Sequence, residues 1–306
     1  MRELFVTVGL VLACGVGCGD EESTFPKEEK KSDLPPGAQS GFDTSKPPVD
    51  ACSDAAKLVY VVSQENELFS FTPNLLKFQK IGRLNCPSGT PSSMAVDRSG
   101  TAWVSFADGK VGKVSTKDAR CTPTEFKPDE AKYGFYRFGM AFSTNGSNTN
   151  EETLFISGVN QSVGGGGTAV YEGKGLGRLD TGALALTMIG DYTGSLAKGV
   201  AELTGTGDGR LYGFFLTNPG TLAQIDRETG AVSEEKSLGG VKLGNAFAFS
   251  FWGGDFWFYT TEGSVPSSVT RLNMQSGQLS VVMQDVGGFR IVGAGVSTCA
   301  PLTQPK

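Results

Sequence analysis

The side chains best suited to bind a ligand are cationic, amide and aromatic residues that come just before segments of an internal repeat. They are Tyr136, Arg137, Lys198, Asn245 and Arg290. Cationic and amide groups hold anions and carbohydrates through charge-assisted hydrogen bonds, and aromatic rings add apolar contact. Because no carboxylate belongs to the set, it predicts a binding site for an anionic or carbohydrate ligand, with no catalytic residue. Glu202 and Asp97 come later along their strands, and the sequence leaves open which side they face. Solvated ends of surface loops would show the same residue types, and this alternative stays open.

The composition excludes several classes of function. Histidine is absent from the 306 residues, which excludes Ser-His-Asp and Cys-His nucleophiles, histidine metal ligands and haem ligation by histidine. The net charge of −5, with no basic stripe, argues against nucleic acid as a partner. Four glycines at 164–167 do not lead from a strand into a helix with a lysine, so they predict a surface loop, or a lid, rather than a phosphate loop. No metal site and no cofactor is predicted.

The elements that would position the candidate residues belong to a five-fold repeat. Short segments around a small residue recur at 93–97, 139–143, 199–203, 246–250 and 293–297. Their aligned small residues are Ala95, Ala141, Ala201, Ala248 and Gly295, which are 46, 60, 47 and 47 residues apart. Apolar strands and tight turns follow these segments, so each repeat predicts four strands. A period in the forties built from short strands is typical of a β-propeller blade.

The phase of the repeat predicts how the ring closes. The first copy begins at a second strand, 58–62, and the chain ends on a lone first strand, 293–297. The last strand must therefore complete the first blade, which removes open sheet edges. The predicted fold is an all-β, five-bladed β-propeller with roughly 49 residues per blade, closed by pairing of the C-terminal strand with the first blade. The candidate binding residues would then lie at the mouth of its central channel.

The cysteines predict two disulfides. Cys52 precedes the first strand and Cys299 follows the last, so ring closure brings them together. Cys86 and Cys121 lie at the fourth strands of neighbouring blades and form the second predicted pair. Four buried free thiols are the alternative. The N-terminal leader favours the disulfides because it indicates export to an oxidising compartment.

The N-terminal residues predict a leader and a tether. Residues 4–16 are apolar and too few to span a bilayer stably, which is typical of a signal peptide. The leader resembles that of bacterial lipoproteins, in which the cysteine left at the mature N-terminus carries the lipid. Cys14 and Cys18 both suit this position; Cys18 is favoured because cleavage there leaves four cysteines to pair, and an ordinary secretory signal is the alternative. The predicted domains are a lipoprotein signal peptide with its lipidated cysteine at 1–18, a disordered linker at 19–51, the propeller at 52–299 and a tail at 300–306.

One stretch of the repeat resembles a known superfamily. Residues 93–104 are similar to one repeat of the broad YVTN, NHL and gluconolactonase-like propellers, and the Asp-x-x-Thr-Gly turn at 226–230 resembles the same group. The resemblance covers 58–297 and implies the propeller fold. Lactonase-like members bind a divalent metal in the channel through Glu, Asp and Asn. Only Asn245 suits that role here, and the paired acids of five-bladed glycosidases have no match, so neither activity is carried over.

These features predict a monomeric, lipid-anchored binding or scaffold module of a bacterial cell envelope. Its ligand would be a glycan, a peptide or another envelope protein, and its N-terminal lipid would hold it to the outer membrane or the periplasmic face. The alternative is a carboxylate- or metal-dependent enzyme, either a lactonase or a glycoside hydrolase or lyase. Three or more acidic or amide side chains converging in the channel would favour the enzyme, whereas an aliphatic lining would favour the binding protein.

Overall fold

Five four-stranded antiparallel sheets make up the computed structural model, which describes residues 52–305 apart from 148, 165–166, 245 and 264–265. In chain order the strands are β1 (Val59–Ser63), β2 (Glu67–Thr72), β3 (Lys77–Arg83), β4 (Pro91–Val96), β5 (Thr101–Phe106), β6 (Val111–Ser115), β7 (Cys121–Pro123), β8 (Arg137–Thr144), β9 (Glu152–Val163), β10 (Ala169–Leu179), β11 (Leu186–Gly190), β12 (Ala201–Gly205), β13 (Leu211–Phe215), β14 (Thr221–Ile225), β15 (Val232–Ser237), β16 (Ala246–Trp252), β17 (Asp255–Thr261), β18 (Ser268–Leu272), β19 (Leu279–Met283) and β20 (Ile291–Val296). A short helix, α1 (Glu130–Tyr133), and 3-10 turns at Ala55–Lys57, Pro73–Leu75 and Gly194–Leu196 lie between strands.

The sheets are the blades of a five-bladed β-propeller, as the repeat predicts. Blade 1 has the strand order β20-β1-β2-β3, and blades 2 to 5 are β4–β7, β8–β11, β12–β15 and β16–β19. The inner strands β20, β4, β8, β12 and β16 contact one another in turn around the ring.

The ring closes in blade 1 by pairing of the two ends of the chain. In this antiparallel pair Val59 lies opposite Val296, and Tyr60 lies opposite Gly295. The predicted closure by the C-terminal strand is therefore confirmed. Since every sheet then has four strands, no inner strand lacks a neighbour within its own blade.

The inner strands run side by side in the same direction, which gives the propeller two distinct faces. Gly293 of β20 approaches Ser93 of β4, and two residues later Gly295 approaches Ala95. We call the face at the first residues of the inner strands the start face, and the face at their last residues the end face. The candidate residue Arg137 is the first residue of β8 and so lies at the start face.

Apolar side chains fill the spaces between neighbouring blades. Trp103 of blade 2 meets Phe142 of blade 3 edge-on at 6.2 Å between ring centroids, and Phe71 of blade 1 meets Trp257 of blade 5 at 5.8 Å. All four side chains are buried. Large aromatic residues on the first, second and third strands thus supply much of the apolar area that holds the blades together.

Strand register corrects the sequence alignment in two blades. Ala95 pairs with the aromatic residue Trp103 of its second strand, and Ala141 pairs with Phe155. In blades 4 and 5 the residues in this position are not the predicted Ala201 and Ala248. The matched set is Ala95, Ala141, Thr204, Ser250 and Gly295, spaced by 46, 63, 46 and 45 residues. The position faces the next blade and must be small, which Thr and Ser satisfy as well as Ala, so a search for Ala and Gly alone misplaced it.

Both predicted disulfides are present. The Cα atoms are 5.8 Å apart in Cys52–Cys299 and 5.1 Å apart in Cys86–Cys121. Cys86–Cys121 joins the outer strands of blades 1 and 2, and it requires the glycine at 112, where a Cβ atom would lie 2.8 Å from the Cys121 sulfur. The predicted alternative of four free thiols is wrong.

The chain joins the propeller at the end face. The Ser297 hydroxyl donates to the Ala56 carbonyl at 2.6 Å, and the indole N–H of Trp252, the last residue of β16, donates to the Lys57 carbonyl at 2.7 Å. The segment from Cys52 to β1 therefore lies against the ends of two inner strands. The signal peptide, the linker and the candidate lipidation site Cys18 lie outside the described residues, and their boundaries stay predictions. In the part of the chain that the structure describes, no helix is long and apolar enough to cross a bilayer.

Removal of the ring-closing disulfide tests its contribution. The Cys52→Ser/Cys299→Ser double variant should lose roughly 2–5 kcal/mol of unfolding free energy in urea, because the unfolded chain gains the freedom of a very long loop. Amide hydrogen exchange in β1 and β20 should accelerate first. The matched Cys86→Ser/Cys121→Ser variant should lose less and should keep β1 and β20 protected. Equal protection of β1 and β20 against hydrogen exchange in the two variants would show that Cys52–Cys299 does not stabilise their pairing.

Candidate ligand-binding cavity

A cavity of about 650 Å³ opens on the start face of the propeller. The first residues of the inner strands, the last residues of the second strands and the hairpin of blade 3 line it. Its apolar lining consists of Pro91, Ala107, Phe138, Val159, Tyr171, Val200, Leu216, Ala246, Phe247 and Val292. Polar side chains of the lining are Gln64, Thr90, Ser92, Arg137 and Glu202. This volume is within the range of cavities that hold small molecules or a few residues of a peptide.

Glu202 lies at the deepest part of the cavity. Glu202 comes two residues before Thr204, the residue of β12 that faces the next blade. The residues at this position in the five blades form one layer around the channel. The other members of that layer are Ser93, Gly139, Ala248 and Gly293. A long side chain in this layer therefore occurs in blade 4 only, and it extends into space that the other four blades leave open.

The Glu202 carboxyl reaches across the channel to a blade that is not its neighbour. The Ser93 hydroxyl of blade 2 donates to its Oε2 atom at 2.6 Å, and the same hydroxyl accepts from the Met140 backbone N–H of blade 3 at 3.2 Å. Blade 3 permits this approach because of Gly139, where a Cβ atom would lie only 2.5 Å from the Ala201 carbonyl oxygen. Three blades thus meet at one hydrogen-bonded carboxyl group.

Burial governs the charge of Glu202. The residue is 8% exposed, and no cation of the described residues forms an ion pair with it. Loss of solvation raises the pKa of the carboxyl to about 8, against the opposing effect of the Ser93 hydrogen bond. At neutral pH the group is therefore mainly a neutral carboxylic acid.

Arg137 lies one layer nearer the opening, on the neighbouring blade. The corresponding residues of the other blades are Pro91, Val200, Ala246 and Ile291, so this layer also holds a single charged side chain. Its Nε atom donates to the Ala107 carbonyl at 3.4 Å, and its guanidinium carbon is 5.5 Å from the ring centroid of Tyr136. No carboxylate of the described residues lies within ion-pair distance of it.

The other predicted binding residues are placed differently. Tyr136 contacts Arg137 but does not line the cavity. Arg290 donates from Nη1 to the Gln64 side-chain oxygen at 2.9 Å, and Gln64 lies on the cavity wall. Asn245 lies outside the described residues, between two residues that line the cavity.

Lys198 lies outside the cavity and is paired. Its Nζ atom is 2.8 Å from Glu172, which also binds Lys174 at 2.6 Å. Hydrogen bonds from these two ammonium groups hold the pKa of the Glu172 carboxyl well below its usual range. A carboxylate thus accompanies this cation in the structure. Glu172 does not belong to the predicted set, because it comes from the inserted hairpin, and the sequence leaves open the side that Glu202 faces, because the alignment of blade 4 is displaced.

The insertion of blade 3 is a β-hairpin beside the opening. The glycines at 164–167, which were predicted to form a surface loop, come between its strands β9 and β10, and 165–166 lie outside the described residues. β9 and β10 stay paired from Gly173–Val159 out to Ala169–Val163, beyond the end of their sheet. The Gly173 N–H donates to the Lys198 carbonyl at 3.0 Å, which fixes the base of the hairpin. Tyr171 of this hairpin lines the cavity and is 46% exposed.

Contacts around Thr298 occupy the channel at the end face. Its hydroxyl donates to Glu152 of blade 3 at 2.8 Å, and the Arg98 N–H of blade 2 donates to the same carboxylate at 2.7 Å. Gly207 of blade 4 packs so closely that a Cβ atom there would lie 2.2 Å from the Thr298 carbonyl oxygen. Since four blades meet here, a ligand would approach Glu202 from the start face.

Within residues 52–305 and their stated gaps, no group of three or more His, Cys, Asp or Glu side chains is arranged to hold a metal ion. The described lining contains one carboxylate, Glu202, and one amide, Gln64. The cavity is therefore a mainly apolar funnel with one acid at its base and one arginine on its wall.

Comparison with known proteins adds little to this geometry. No family model and no curated protein matches the sequence. A solved structure that is similar to this chain is TolB from Acinetobacter baumannii, with a TM-score of 0.42 and 12% identity over 78% of this chain and 54% of TolB. The chain thus spans about half the length of TolB. The assignment of a propeller rests on the strand pairing described above.

The buried acid predicts a specific dependence of stability on pH. The folded pKa of Glu202 is about 8 and its ordinary value 4.5, so between these pH values the unfolded chain is ionised while the folded protein keeps its proton. The free energy of unfolding therefore falls as pH rises through this window, by roughly 3–5 kcal/mol, and stays level above it. Glu202→Gln mimics the neutral acid and should remove this loss.

Urea unfolding at pH 5 and pH 8.5 measures the effect. Wild type should lose more stability between the two pH values than Glu202→Gln. Burial also raises the pKa of Glu152. Its contribution to the pH dependence of stability is the same in both proteins and cancels in the comparison. Glu228→Gln, a change at an exposed carboxylate, should follow wild type. Parallel pH profiles for wild type and Glu202→Gln would show that Glu202 is ionised in the folded protein.

Proposed function

We propose that this chain is an exported, lipid-anchored binding protein whose ligand enters the cavity on the start face. The observation that carries the proposal is the cavity itself, which is open, mainly apolar and closed toward the end face. A buried polar group at the base of an apolar cavity is the usual means of orienting a bound ligand.

The lining favours binding over catalysis. Glycoside hydrolysis uses two carboxylates a few ångströms apart, and a lactonase-like metal site needs several acidic or amide ligands. The described lining offers Glu202 and Gln64, fewer than the three converging groups that would favour an enzyme. The walls are apolar, so they support retention of a ligand rather than its chemical conversion.

Export is supported by the two disulfides and by the lipoprotein-like leader. Disulfides persist mainly in oxidising compartments outside the cytoplasm, and the resemblance of residues 1–18 implies a lipid on Cys18. Residues 19–51 would then be the linker between the lipid and the propeller.

The attachment point and the cavity lie on opposite faces of the propeller. Cys52 is bonded to Cys299, just beyond the end of β20, and so lies at the end face. The cavity opens on the opposite face. In a protein anchored through residues 1–51, the linker would therefore join the face opposite to the mouth of the cavity and leave that mouth open to a soluble ligand or a protein of the same compartment.

Mass spectrometry of the mature N-terminus tests the anchor. In a bacterial host, the N-terminal peptide should begin at Cys18 and carry lipid, and the protein should be found in the membrane fraction. Cys18→Ser should abolish the lipid and the membrane association, whereas Cys14→Ser should leave both intact. An unmodified N-terminus, or lipid on Cys14, would contradict the assignment.

Fluorescence of N-phenyl-1-naphthylamine, an uncharged apolar probe, tests the cavity. Wild type should bind it saturably, and Val200→Trp, which places an indole in the cavity, should weaken binding at least tenfold. Val281→Trp is the matched control, because Val281 is 52% exposed on the outer strand β19, away from the cavity. Absence of saturable binding to wild type, or equal binding by both tryptophan variants, would contradict the proposed site.

A further inference from the structure

We propose that the cavity takes a short peptide with both termini free, whose ammonium group lies against Glu202 and whose carboxylate lies against Arg137. This inference rests on the proposed function, since it names the ligand of the same cavity. It follows from the position of one acidic and one basic side chain in the cavity, for which the described residues supply no ion-pair partner.

Arg137 and Glu202 lie on neighbouring blades, with their backbone positions offset along the channel. Arg137 precedes Gly139 by two residues along β8, and Gly139 lies directly against the backbone of Glu202. Two strand residues correspond to an offset of about 7 Å. This offset between the two backbones is comparable to the length of about two extended peptide residues, so the proposed ligand is a dipeptide or tripeptide.

Neither group has a charged partner among the described residues. Glu202 accepts a hydrogen bond from Ser93, and Arg137 uses its Nε atom toward the Ala107 carbonyl. The two terminal nitrogens of a guanidinium can bind a carboxylate side by side. An isolated carboxylate inside an apolar cavity is costly, so Glu202 holds its proton until a cation arrives. A ligand ammonium group would supply that cation.

Among the residues that the structure describes, no other charge competes for Glu202. β4 contributes the Ser93 hydroxyl, β8 the Met140 N–H, and β13 the apolar Phe214 opposite Glu202. Tyr192 is the titratable neighbour, and burial raises the pKa of its hydroxyl, so it stays neutral.

The remaining cations of the predicted set do not serve this role. Lys198 is paired with Glu172 outside the cavity, and Arg290 is hydrogen-bonded to Gln64 and to the Gly263 carbonyl. The rest of the lining is mostly apolar and would cover aliphatic side chains of the peptide. Charge therefore positions the two termini of the peptide, and the apolar walls of the cavity favour a peptide with apolar side chains.

Calorimetric titration with leucyl-leucine and its capped forms tests the inference at pH 7. Wild type should bind the free dipeptide at least tenfold more tightly than N-acetyl-leucyl-leucine, which lacks the ammonium group. It should likewise prefer the dipeptide to leucyl-leucine amide, which lacks the carboxylate. Glu202→Gln should remove only the first preference, and Arg137→Gln only the second.

Proton release distinguishes ligand contact from a structural role of Glu202. Because the acid is neutral in the empty cavity and ionised against an ammonium group, binding should release a proton. The apparent binding enthalpy of wild type should then vary with the ionisation enthalpy of the buffer, and this dependence should be absent in Glu202→Gln. The capped peptides test wild type alone, so the proposal stays falsifiable if a variant does not fold.

The outcomes separate this inference from the proposed function. If N-phenyl-1-naphthylamine binds but the dipeptide neither displaces it nor gives heat at millimolar concentration, the peptide assignment is overturned and the cavity remains a binding site. Equal binding of the acetylated dipeptide would overturn the role of Glu202 and favour a neutral ligand that hydrogen-bonds to the acid. If the probe itself fails to bind, the proposed function fails.

Discussion

Pairing of β20 with β1 is the interaction on which the other features of the propeller depend. The four strands of blade 1 come from both ends of the domain, so this blade forms only when the ring is complete. Every other blade is a continuous segment of chain. Closure holds the five inner strands close together around the channel axis. This close packing limits the size of the side chains that fit beside the channel. The cavity, with Glu202 at its base and Arg137 on its wall, is a consequence of this close packing.

Close packing near the axis explains why Glu202 differs from the residues at the same position of the other blades. Four blades place Ser93, Gly139, Ala248 or Gly293 in its layer, and only small residues permit the observed approach of neighbouring backbones. A glutamate in the fifth place occupies the common space and bonds to a distant blade. A buried acid here destabilises the ionised form of the protein, and proteins retain such costs most often at functional sites.

The sequence predicts the fold well because a propeller repeats its chemistry. Strand number, blade number, closure and both disulfides followed from spacing, since each repeat carries the same turns and the same aromatic second strand. The register of blades 4 and 5 did not follow, because Thr204 and Ser250 serve the small position as well as alanine does. Anchoring the alignment on Tyr212 and Trp257 would have placed Glu202 among small residues and marked it as the exception.

The site was predicted less completely than the fold because channel positions depend on register and on insertions. Arg137, which was predicted at the mouth of the channel, lines the cavity in the structure. The partner of Lys198 could not be inferred, because Glu172 lies on a hairpin extension that has no counterpart in the other blades. Sequence spacing locates repeated positions, whereas contacts made by a unique insertion require the three-dimensional structure.

The Cys52–Cys299 bond also determines how the domain responds to mechanical load. A pull on the residues before Cys52 would act first on this covalent link, and through it on the end of β20, rather than on the hydrogen bonds of β1. β1 and β20 would thus be drawn together instead of being peeled apart one residue at a time. Cys86–Cys121 ties the outer edge of the same blade to blade 2. Blade 1, the one assembled from both chain ends, is therefore covalently reinforced at its inner and outer edges.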